Sequence, residues 1–145
     1  MGCSVQSFED FIDSIVLHEH YVVYGADPEA LPSYDSRRMA LGYIGCIVAK
    51  FRTGRCWAGE WSALNMKVKN KGLEFVIDFK KDYELKADRA FLDLTKFCET
   101  VLERLKFNGR SPPYFDELQD DMMLINECIG NPEKWERFLQ LISNP

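Results

Sequence analysis

Four carboxylates, Asp116, Glu117, Asp120 and Asp121, fall within six consecutive positions. On a helix, 116 faces 120 and 117 faces 121, and each like-charged neighbour pair at that spacing costs a few tenths of a kcal/mol. A helix N-terminus favours acids, but only within its first turn, so the dipole covers Asp116 and Glu117 better than Asp120 and Asp121. The glycine and the oxygen-ligand spacing of a calcium loop are missing. The plain reading is a solvated acidic face. The functional reading is a docking surface for a cationic partner, with Tyr114 beside it as an aromatic anchor.

The only histidines are His18 and His20, separated by Glu19. On a strand, residues two apart point to the same side, so both imidazoles would reach one metal ion. Such a site needs a third or fourth ligand, and no cysteine spacing nominates one. The plainer alternative is a pair of surface histidines at a helix end, where the dipole favours positive charge. Nucleophilic catalysis would need a cysteine or serine beside a base. No nucleophile elbow, zincin motif or phosphate-cradling glycine loop occurs.

A third constellation is basic. Residues 37–71 hold eight Lys or Arg against one acid, Glu60. Lys67, Lys69 and Lys71 alternate with Met66 and Val68, downstream of Arg52, Arg55, Trp57 and Trp61. Cations interleaved with aromatics suit a single-stranded nucleic acid. The plainer reading is a sheet edge guarded by lysines, and the acidic balance of the whole chain favours it.

The charges are sorted along the chain. Residues 1–36 carry seven acids and no Lys or Arg; residues 111–145 carry seven acids against two bases, and the net charge is −5. Segregated charge must be offset inside the fold or across an interface. A chain of 145 residues with 46% hydrophobic content forms one domain with its own core. Five cysteines without a CxxC pair make a poor disulfide framework, which points to reduced thiols and a cytoplasmic setting. No stretch approaches the ~20 apolar residues of a membrane-spanning helix, and the N-terminus does not read as a signal peptide. Met1-Gly2-Cys3-Ser4 resembles an acylation signal, but Gln6 stands where Ser or Thr is wanted, and acids follow.

These residues need elements to hold them. Phe8, Phe11, Ile12, Ile15 and Val16 predict an amphipathic helix over about 8–17, capped by Ser7. Residues 18–24 suit a strand, and Gly25 to Ser36 a loop. Residues 37–51 fit a helical stripe, but Gly42 and Gly45 would cost about 1 kcal/mol each in a helix. The second half therefore leans to strand, running into a turn at Arg52-Thr53-Gly54-Arg55. Residues 66–79 read as a hairpin turning at Asn70-Lys71-Gly72. Asp82 would cap a long helix to Leu105, closed by Asn108-Gly109. Helices opening at Ser111-Pro112-Pro113 and at Asn131-Pro132 follow.

The expected fold is α+β: a small antiparallel sheet, about residues 18–80, against an N-terminal helix and three C-terminal helices. The expected function is a non-enzymatic protein-binding domain without a cofactor. It would dock a basic protein through Tyr114, Asp116, Glu117, Asp120 and Asp121. Size and acidity match the profile of immunity proteins, which neutralise cationic nuclease toxins. The alternatives are a metal-dependent or cysteine/histidine enzyme using His18 and His20, and a nucleic-acid binder using residues 50–71. A homodimer is compatible with each.

Overall fold

The computed structural model describes residues 5–21, 29–106 and 113–143, and within those leaves aside the side chains of residues 19–21, 29, 30, 113 and 114. The fold is α+β, as expected. Strand β1 (Val5–Ser7) leads straight into helix α1 (Phe8–Ser14), whose first turn is capped by Ser7 Oγ accepting from the Asp10 amide at 3.1 Å. β2 (His18–Tyr21) pairs antiparallel with β3 (Glu29–Pro32), a strand where a loop was expected. The acylation-like Met1 to Ser4 lies outside the described residues, as does the expected helix end at Asn108-Gly109.

The main correction concerns residues 37–51. They belong wholly to α2 (Tyr34–Arg52), a 19-residue helix. Ser33 caps it by accepting from the Ser36 amide at 3.0 Å, and Gly54 (φ +78°) follows its last turn. Met39, Ala40, Tyr43, Ile44, Ile47, Val48 and Phe51 are all buried, so tertiary packing outweighs the glycine propensity cost. Gly42 has a positive reason to be there: a Cβ on it would sit 2.6 Å from Phe75 Cδ2. The helix can approach the sheet only because that Cβ is missing.

The expected hairpin is present. β4 (Arg55–Cys56) precedes it, and β5 (Met66–Lys69) and β6 (Glu74–Ile77) pair across a turn in which Asn70, Lys71 and Gly72 all have positive φ. β1 adds on the other side of β5, giving the order β1-β5-β6. Lys67 and Lys69 therefore stand half-buried on a central strand, so they guard no edge. β4 forms a separate short ladder with β7 (Tyr83–Glu84).

α3 (Ala87–Phe97) starts five residues after Asp82, which is no cap: Asp82 is instead gripped by Lys50 at 2.6 Å and Arg55 at 2.8 Å. α3 runs on through a π-helical turn (Cys98–Leu102) and a 3-10 turn (Glu103–Leu105). The wider turn lets Val101 and Leu102 both reach the core. α4 (Pro113–Met122), α5 (Ile125–Cys128) and α6 (Pro132–Ser143) complete the chain. Asn131 Oδ1 caps α6 by accepting from the Glu133 and Lys134 amides. α2 is the hub: it packs on β6, α3 and α6. No helix among the described residues is long and apolar enough to cross a membrane.

Candidate functional site

The acidic residues sit where helical spacing places them. In α4, Phe115, Leu118 and Met122 are buried, which turns Asp116, Glu117 and Asp120 fully outward and leaves Asp121 half-exposed. Among the described residues, none of these four carboxylates makes an ion pair or a side-chain hydrogen bond. Three acids elsewhere are matched by bases distant in sequence: Asp82 by Lys50 and Arg55, Glu136 by Arg52 at 2.6 Å, Glu9 by Arg104 at 2.7 Å. The basic segment thus spends Lys50, Arg52 and Arg55 on other acids. Tyr114 lies in α4, but its side chain is outside the described residues.

The electrostatics carry the mark of that isolation. Burial pushes the Asp121 carboxyl above the usual carboxylate range, and the charges of Glu117 and Asp120 push it further. Asp120 and Asp121 also occupy the last turn of a ten-residue helix with no basic residue there. That end of the dipole is negative, so two acids there add a local cost.

Between α3 and α4 runs a half-enclosed apolar groove of about 350 Å³, which the sequence did not suggest. Phe91, Leu94, Cys98, Met122 and Met123 form its apolar lining, with Thr95, Glu99 and Gln119 among them. A hollow of about 110 Å³ shares Cys98, Glu99 and Gln119 and adds Glu103 and Lys106. Glu99 belongs to the π-helical turn, a distortion found often at functional sites. Gln119 lines the groove, so Asp116, three residues before it on α4, stands along the same side, with Asp120 next to Gln119 in sequence. Glu117 and Asp121 are one stripe further round. Met123 is 59% exposed beside buried Met122, and no sequence pattern marks the groove that the two residues line.

His18, Trp57 and Trp61 are each engaged in an internal hydrogen bond. His18 Nε2 lies 2.6 Å from the Leu105 carbonyl, which can only accept, so that nitrogen carries the proton. His18 is on β2 and not at a helix end, and the His20 side chain lies outside the described residues. Among the described residues no three His, Cys, Asp or Glu side chains gather to hold a metal ion. Burial raises the thiols of Cys46, Cys56 and Cys98, the last to about 11, so none of the three is a ready thiolate. Trp57 and Trp61 are buried, and their indole N–H groups donate to the Phe79 carbonyl and to Asp93. They offer no platform on which a base could stack.

Asp93 is a buried polar centre that no sequence pattern marks. It accepts from the Trp57 amide at 2.9 Å, the Gly59 amide at 2.7 Å and Trp61 Nε1 at 3.0 Å. Burial raises its pKa and those donors pull it partway back. With every contact internal, its work is to fix the 57–61 loop. The chain matches no family model, no curated protein and no solved structure.

Proposed function

We propose that this chain is a non-enzymatic binding domain that docks a basic protein through the acidic face of α4. One observation supports the reading: among the described residues, Asp116, Glu117, Asp120 and Asp121 stand together on one helix without an ion pair to any Lys or Arg, whereas Glu9, Asp82 and Glu136 are each matched by one. Four unmatched carboxylates on one rigid helix create a field that speeds encounter with a cation-rich surface and disfavours acidic partners. The inhibitor or immunity type, with a cationic toxin such as a nuclease as target, is the role that this chemistry suits.

Titration of isotopically labelled protein with a lysine decamer, followed by amide chemical shifts, tests the site. Shifts should concentrate at residues 115–123, fade as salt is added, and be lost in the variant Asp116→Asn, Glu117→Gln, Asp120→Asn, Asp121→Asn. Shifts centred elsewhere, or unchanged in that variant, would refute the proposal.

A further inference from the structure

We infer that the α3–α4 groove receives the apolar face of a lysine- or arginine-rich amphipathic helix belonging to the partner. This rests on the proposed docking role of α4 and adds what the acids alone do not specify: the shape of what they hold. The groove lies between two helical segments, the arrangement into which a third helix packs its ridge of side chains. Its lining of Phe91, Leu94, Cys98, Met122 and Met123 suits an apolar stripe, and methionine adapts to irregular side chains better than branched residues do.

Charge complementarity selects the partner's other face. Glu99 enters the groove from the α3 side, with Glu103 in the adjoining hollow. On the α4 side, helical position sets exposed Asp116 and Asp120 beyond Gln119, outside the lining itself. Lys106 is the cation lining these hollows, and it is held by Glu103 at 2.7 Å. A helix with an apolar stripe flanked by cations would bury the stripe and set a positive charge against each acidic wall. An uncharged amphipathic helix would satisfy only the floor, and an acidic one would be repelled from both sides.

The test uses two peptides of leucine and lysine, each about 16 residues or ~24 Å as a helix. In one, leucines recur at three- and four-residue spacing; the other has the same composition scrambled so that no stripe forms. Fluorescence anisotropy with the full chain should show the patterned peptide binding tighter by on the order of tenfold, about 1.4 kcal/mol. Met123→Ser, at an exposed position, should remove most of that advantage and leave the scrambled peptide unaffected. Cys98 lines both hollows, so the patterned peptide should also slow its alkylation at alkaline pH.

Equal affinity for both peptides, with Met123→Ser neutral, overturns the groove inference while the acidic face stands. Binding of both peptides that is indifferent to Asp116→Asn and Asp120→Asn overturns the docking role as well. A dimer that Met123→Ser dissociates would assign the groove to a second copy of this chain and overturn the inference.

Discussion

Arg52 Nη1 donates to both carboxylate oxygens of Glu136, at 2.8 and 2.6 Å. This contact ties the base-rich segment to the acid-rich tail at α6 and involves no α4 carboxylate. The charge sorting is therefore only partly settled inside the fold. Arg104 does the same for the acidic N-terminus by gripping Glu9. Among the described residues, the four neighbouring carboxylates of α4 take no part in such pairs.

Titration of the paired and the unpaired acids should run in opposite directions. The Arg52 guanidinium holds Glu136 below its ordinary range, so its contribution is present above its unfolded pKa, about 4.3, and is lost as pH falls through the folded value. Asp121 is raised, so it binds its proton more tightly when folded. Its penalty is present above the folded value and is relieved as pH falls through it. Thermal melts should show Glu136→Gln lowering Tm at neutral pH and Asp121→Asn raising it, with both differences closing toward about pH 3, below the usual carboxylate pKa values.

The two helical glycines of α2 should answer in opposite senses. A Cβ added to Gly45 would meet nothing within 4 Å, so Gly45→Ala should add up to about 1 kcal/mol of stability through helix propensity. Gly42→Ala would drive a methyl into the Phe75 ring and should cost about 1–3 kcal/mol through overpacking. Urea unfolding of the pair checks this. Stabilisation by both would mean that α2 does not press on β6 as described.

Those glycines also show where the sequence was opaque. The stripe Ala40, Tyr43, Ile44, Ile47, Val48 and Phe51 was legible as a helix, but propensity at Gly42 and Gly45 argued the other way. Only the position of Phe75, thirty-three residues downstream, explains Gly42. The hairpin at 66–77, the amphipathic α1 and the acidic stripe of α4 were readable because each is local and periodic. β1 and β3 are too short to show a period, and the π-helical turn shifts the register of α3 without a sequence mark. The groove could not be read because it depends on how two helices pack.

Asp93 should prove structural. In Asp93→Asn the oxygen would still serve the Gly59 and Trp61 donors, but the new amide N–H₂ would face the Trp57 amide, donor against donor. An orphaned buried donor costs about 1–3 kcal/mol. Denaturant unfolding should show that loss, with a change in fluorescence from Trp57 and Trp61. Binding of the lysine decamer by the folded variant should be unchanged.

The thiols separate binding from cysteine chemistry. Cys98 sits at about 11 and Cys46 and Cys56 are raised by burial. In the native protein at neutral pH these three should react with a disulfide reagent far more slowly than in denaturant, since the thiolate is the attacking form. Rapid native reaction at any of the three, located by mass spectrometry, would favour the cysteine-enzyme reading.

Whether the α4 face holds a cationic protein is decided by side-by-side capture from the source cell's lysate. One column carries the wild type and the other the Asp116→Asn, Glu117→Gln, Asp120→Asn, Asp121→Asn variant. A protein richer in Lys and Arg than in Asp and Glu should be retained by the wild type, released by salt and lost from the folded variant. Retention of the same proteins by both columns would overturn the docking role.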